Sequence, residues 1–133
     1  MKTAVAYCRS GSEPQGSPSA VHAQARTIRL YAKGRALTVP ETYIDQAASG
    51  MTLDRPELET LIADCRAGKI DTVLTTDPER LSRDTGQLFA LLDIFRDTGV
   101  HVEFATAAGR NHFAFLTVLL SAVAELDGAA ANA

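Results

Sequence analysis

Four short apolar runs, each followed by a stretch of helical periodicity, constrain this chain more than any other feature. Residues 3–8, 36–39 with 43–44, 70–76 and 100–105 have the length and apolar content of strands. Between them the spacing changes. Leu58, Leu61, Ile62 and Cys65 fall at i, i+3, i+4 and i+7, one face of a helix. Leu88, Leu91, Leu92 and Phe95 repeat that stripe further on. An alternation of the form βαβαβαβα with crossovers of ordinary length predicts an α/β domain of three layers around a mostly parallel sheet. The sheet is expected to hold four to five strands, with a long apolar helix at the C-terminal end. All 133 residues fit one domain with a single core.

The punctuation supports this reading. Ser19 is a fair N-cap for a first helix running to about Lys33 and stopped by Gly34. Pro40 is expected to interrupt the second strand, and Asp45 to end it. Asp54, Pro56 and Glu57 make a strong start for the second helix, which Gly68 ends. Asn111 can cap the last helix, which reads through Leu126 and stops at Asp127 and Gly128.

Residues 77–84 read DPERLSRD and sit between the third apolar run and an amphipathic helix. Two guanidinium groups, Arg80 and Arg83, with Glu79 beside them, are thereby expected at the carboxyl end of a strand. Ligands of open α/β sheets bind outside those ends. Arginine holds phosphate or carboxylate through two parallel hydrogen bonds. The stretch therefore predicts an anion site, with phosphate the leading candidate. The alternative is a solvated turn with two surface arginines.

Hydrophobic content of 46% and charged content of 22% are those of an ordinary globular protein. A net charge of −3 argues against a surface coated with positive charge, and so against strong non-specific binding of nucleic acid by this segment alone. Ten of the thirteen basic residues are nevertheless arginine, and Arg9, Arg55, Arg80 and Arg83 all fall near strand ends or helix starts. Cys8 and Cys65 lie in apolar patterns and read as small core residues in a reduced compartment. With no secretory signal visible and no apolar run long enough to span a bilayer, a cytoplasmic location and no membrane association are expected. His22, His101 and His112 show no ligand spacing and receive no role; Tyr7 reads as a packing residue at a strand end.

Residues 113–126 are apolar nearly all round. Such a helix is buried on all sides. One small domain covers only one side of a terminal helix, so Phe113, Leu116, Leu120 and Val123 are expected at an interface with another chain.

In order along the chain, these blocks resemble the catalytic domain of the serine recombinases, the resolvase/invertase family. The resemblance rests on Tyr7-Cys8-Arg9 with Gln15 following, Gln24 on the first helix, and Asp45, Ser49-Gly50 and Arg55-Pro56. It continues in Glu79-Arg80-Leu81-Ser82-Arg83 and Ala124-Glu125-Leu126, and so spans about the whole length. It implies cleavage and rejoining of DNA through a 5′-phosphoserine intermediate, strand exchange within a tetramer, and neither metal nor cofactor. By the same resemblance Arg9, Arg80 and Arg83 clamp the scissile phosphate, Arg55 assists, and Asp45 orients an arginine. Gln15, Gln24 and Ser49 join that phosphate and DNA-binding set. Glu79 stands where the family has Asp, with an arm longer by one methylene. The implied assembly is a homodimer or tetramer through the C-terminal helix.

Two departures matter. The family's nucleophile lies two residues after the arginine, where this chain has Gly11 between Ser10 and Ser12. Glycine has no hydroxyl. Either a neighbouring serine acts, with Ser12 preferred over Ser10, or the domain does not cleave DNA and serves as an association or regulatory module. The second departure is the ending, which shows no helix-turn-helix or zinc-ribbon pattern. The chain is expected to engage a DNA site only with a further DNA-binding region or partner. A different anion-binding α/β protein, such as a small phosphatase or receiver-like domain, is disfavoured. It would need a Cys-x5-Arg loop, paired N-terminal acids or a Gly-rich phosphate loop.

Overall fold

The computed structural model describes residues 2–11, 18–46 and 55–131. Nine elements follow in the order β1 (Lys2–Arg9), α1 (Pro18–Gly34), β2 (Leu37–Asp45), α2 (Pro56–Arg66), β3 (Thr72–Thr75), α3 (Pro78–Leu81), α4 (Thr85–Asp97), β4 (His101–Phe104) and α5 (Ala107–Ala131). The sheet has four strands in the order β2-β1-β3-β4, and every pairing is parallel.

The three layers follow from the two-residue period of β1. Ala4, Ala6 and Cys8 turn to one face and pack with Val21, Ala25 and Ile28 of α1. Val5 and Tyr7 turn to the other, against Leu58 and Leu61 of α2 and Leu91 and Phe95 of α4. β3 divides likewise, with Leu74 on the first face and Val73 on the second. Each fully buried leucine contributes about 1.5–3 kcal/mol relative to exposure. Both cysteines are free and buried, and burial pushes their thiols up to about 11.

Pro40 does not break β2. The strand runs through it, and one extra residue of β2 is taken up between the pairs Thr3↔Thr38 and Val5↔Glu41. Proline is tolerated there because β2 is an edge strand, where a missing N–H leaves no ladder bond unmade. At the end of α1 the left-handed residue is Ala36, at φ 56°, and not Gly34; Gly68 and Gly99 do take positive φ after their helices.

The last helix differs from expectation at both ends. It begins at Ala107, because the Thr106 hydroxyl accepts from the N–H of Gly109 at 2.9 Å and caps it. It continues past Asp127 and Gly128 to Ala131. One glycine costs about 1 kcal/mol in a helix, too little to stop a long one. α1 likewise starts at Pro18, one residue before the expected Ser19 cap. The proposed Asp54 cap lies outside the described residues.

Phe113 and Leu116 pack against this chain's own core. The Phe113 ring lies 4.9 Å from that of Phe104, and Leu116 is buried. The first turns of α5 lie over β4, and Gly109, Phe113 and Leu116 are the residues that face inward there. The helix presents Phe115 and, beyond Leu116, Val118, Leu119, Leu120, Val123 and Leu126 to solvent. Among the described residues no helix is long and apolar enough to cross a membrane.

Candidate functional site at the carboxyl ends of the strands

Because all four strands run the same way, Arg9, Asp45, Thr75 and Phe104 finish on one side of the sheet. The residue pair Arg9↔Asp45 is in register. The turn from β3 into α3 and α4 rises over this edge, and the start of α5 closes it from the far side. Between them lies an open cleft of about 330 Å³. Arg9, Arg80 and Arg83 line it together with Glu79, Asp77 and His112.

Arg9 and Arg80 hold each other in place. Arg9 donates from Nε to the Arg80 carbonyl at 3.2 Å and from a terminal nitrogen to the Glu79 carbonyl at 3.0 Å. Arg80 donates back to the Arg9 carbonyl at 3.0 Å. These bonds fix where the two guanidiniums sit at the cleft. Arg9 is almost wholly buried as its floor, Arg80 is half-buried, and Arg83 and Glu79 are exposed at its rim. Burial, and then the positive charges of Arg55, Arg80 and Arg83, push the Arg9 guanidinium below its usual range. Guanidinium still stays charged in proteins. Crowded cations of this kind are relieved by an anion.

Arg55, Asp45 and Gln24 sit in the frame behind the cleft. Arg55 is 1% exposed and absent from the cleft wall. It donates to the Tyr7 hydroxyl at 3.1 Å, to the Arg80 carbonyl at 3.0 Å and to the Leu81 carbonyl. Its terminal nitrogens thus brace the arginine turn from inside. Asp45 accepts from the Tyr7 hydroxyl at 2.8 Å and from the N–H groups of Glu57 and Leu58, each at 3.0 Å. A carboxylate from β2 therefore satisfies the first turn of α2, which has no side-chain cap of its own. Asp45 is linked to Arg55 through the Tyr7 hydroxyl. Gln24 pairs with both backbone groups of Arg9, accepting from its N–H at 3.1 Å and donating to its carbonyl at 2.9 Å. It pins the end of β1.

Tyr7 is thus more than packing. Its hydroxyl links Asp45 to Arg55, and the Arg55 guanidinium lies 5.7 Å from its ring centre. Burial pushes this phenol far up, against the opposing charge of Arg55, so the proton stays on Tyr7 and donates to Asp45. Tyr7→Phe leaves a buried carboxylate and a buried guanidinium each short of one partner. We expect a loss of about 1–3 kcal/mol in urea unfolding with an unchanged slope. A loss below about 0.5 kcal/mol would show that the linkage carries no weight.

Ser10 is buried at 1% exposure, its N–H donates to the Asp45 carbonyl at 3.0 Å, and it does not line the cleft. As a candidate nucleophile it is therefore turned into the frame. Ser12, Gln15 and Ser49 lie outside the described residues. His112 and Thr106 reach the site from α5 and its cap, and no local pattern announces them, since only the fold of the last crossover brings them to Arg83. Among the described residues no three His, Cys, Asp or Glu side chains are grouped to hold a metal.

The resolvase N-terminal domain family model matches residues 4–132. This chain belongs to that family. Within it, the chain is 37% identical to the transposon Tn21 resolvase of Escherichia coli over 68 residues, 51% of this chain and 33% of that one. The match thus spans about a third of the relative's length. Among solved structures, the N-terminal catalytic domain of TP901-1 integrase superposes with a TM-score of 0.74 at 26% identity, covering 95% of this chain and 99% of that one. A resolvase family site-specific recombinase from Streptococcus pneumoniae gives 0.73 at 23% identity over 96% and 88%, a likeness of fold. The α/β architecture expected from the alternation, of the resolvase type that the resemblance implied, is the one found.

Proposed function

We propose that this resolvase-family domain holds a DNA phosphodiester in the cleft of Arg9, Arg80 and Arg83 and acts in site-specific recombination. The observation that carries the reading is the convergence of three guanidiniums, from β1 and from the α3 turn, on one open cleft. Phosphoryl transfer is catalysed chiefly by positive donors around the equatorial oxygens. In the step proposed, a serine oxygen bonds to phosphorus and the bond to the 3′ oxygen breaks. The serine proton ends on that 3′ oxygen, and a 5′-phosphoserine link remains. Reversal rejoins the strand. With Gly11 at the family's nucleophile position and Ser10 turned inward, Ser12 is the hydroxyl assigned to the attack.

A second reading has a specific observation behind it. A chain with glycine at that position and a buried Ser10 is also what a non-cleaving association module would have. In either reading the exposed apolar stretch of α5 with Leu120 and Val123 is the surface assigned to homodimer or tetramer formation. DNA is engaged with the help of a further DNA-reading region, in the cytoplasm.

Denaturing mass spectrometry separates the two readings. The chain is incubated with duplexes of randomised sequence, and any serine covalently linked to DNA is mapped. A DNA adduct on Ser12, absent from Ser12→Ala, supports cleavage. The absence of any adduct from a chain that still binds sulfate in the cleft favours the association module.

A further inference from the structure

His112 belongs to the second turn of α5 and lines two adjoining hollows, the arginine cleft and a groove with Ser82 and Leu88. It is half-buried, and among the described residues its ring has no hydrogen-bond or ion-pair partner. A buried imidazole usually finds a partner for at least one nitrogen. Here the groups around it are charged. Arg9 faces it from β1, Asp77 and Glu79 from the turn and α3, and Arg80 and Arg83 from α3 and beyond.

We propose that His112 is the titratable member of the anion cradle, contacting a phosphate oxygen in its imidazolium form beside Arg80 and Arg83. The inference rests on the cleft being an anion site and adds a residue and a pH dependence to it. Three guanidiniums against two carboxylates give the cleft lining a net positive charge. A bound doubly charged anion reverses that balance. Histidine is the side chain whose charge ordinarily changes between pH 5 and 8. By linkage, an anion that favours the protonated ring binds more tightly as pH falls through that range.

The test uses inorganic sulfate, which stays doubly charged throughout, and imidazole-resolved NMR of the whole chain, with His22 and His101 as internal references. Sulfate affinity is expected to rise about tenfold between pH 8 and pH 5.5, with the midpoint of the His112 resonance moving up by about one pH unit when sulfate is present. His112→Asn is expected to bind with one affinity across that range, equal to that of the native chain at pH 8. If sulfate shifts the Arg80 and Arg83 resonances while the His112 midpoint stays fixed, this inference is overturned and the arginine cleft stands. A pH dependence that persists in His112→Asn overturns it equally. Failure of sulfate to bind the native chain at any pH overturns the anion-site reading and this inference with it.

Discussion

Arg80→Ala is expected to lower sulfate affinity at least tenfold and to reduce any DNA-linked product by a factor of about 100–1,000, the scale of removing one preorganised donor from a transition-state oxyanion. The fold should survive. The substitution removes one bond to the Arg9 carbonyl, which Gln24 continues to hold at 2.9 Å, so the stability cost is about 1 kcal/mol. Arg55→Ala makes the contrast. Its guanidinium is buried and braces Tyr7 and two carbonyls of the arginine turn, so its loss should appear mainly as destabilisation. Chemical denaturation and sulfate titration of both variants separate clamp from frame. If Arg80→Ala binds sulfate as the native chain does, the clamp assignment is wrong.

Gly109→Ala is expected to destabilise the domain by about 1–3 kcal/mol or more and to weaken the anion site at the same time. Helix propensity alone predicts the opposite sign, a gain of about 1 kcal/mol for Gly to Ala inside a helix. Tertiary contact decides it here. A Cβ at Gly109 would lie 2.5 Å from the Thr76 carbonyl oxygen, 2.8 Å from the Thr106 hydroxyl and 2.9 Å from the Asp77 Cα. Two of these are backbone and cannot swing away. The start of α5 must therefore lift off the β3–α3 turn. Gly109 and His112 lie on one side of the cleft, with Asp77 and Arg80 on the other, so that movement widens it. Gly86→Ala is the control, since only the Asp84 carboxylate approaches there, at 3.3 Å. It should be near neutral. Thermal unfolding of both variants is the measurement, and a Gly109→Ala chain as stable as the native one would show that α5 is not seated so closely.

Local pattern and tertiary placement contributed differently to this reading. The helical stripe of Leu58, Leu61 and Cys65 and the two-residue period of β1 are set by backbone geometry over a few residues. They were therefore legible, and with them the layer order of the fold. The DPERLSRD stretch announced an anion-capable turn because arginine chemistry and strand-end position can both be read locally. Pro40 misled, since whether a strand tolerates proline depends on its being at the edge, a property of the whole sheet. Asn111 misled too, because Thr106 caps α5 from a position where the helical apolar pattern has not begun.

Four arginines looked alike in the sequence, and the fold sorted them. Arg9, Arg80 and Arg83 reach the cleft, while Arg55 turns inward to Tyr7 and the turn carbonyls. Asp45 and Gln24 sit in the frame, where they satisfy backbone N–H and C=O groups at the end of β1 and the start of α2. The sequence by itself determined the α/β alternation, the family and the presence of a cationic turn, since each depends on residue type and short-range spacing. Only the tertiary structure decided which side chains line the cleft, because that choice turns on which buried polar groups remain to be satisfied once strands and helices from distant parts of the chain have met.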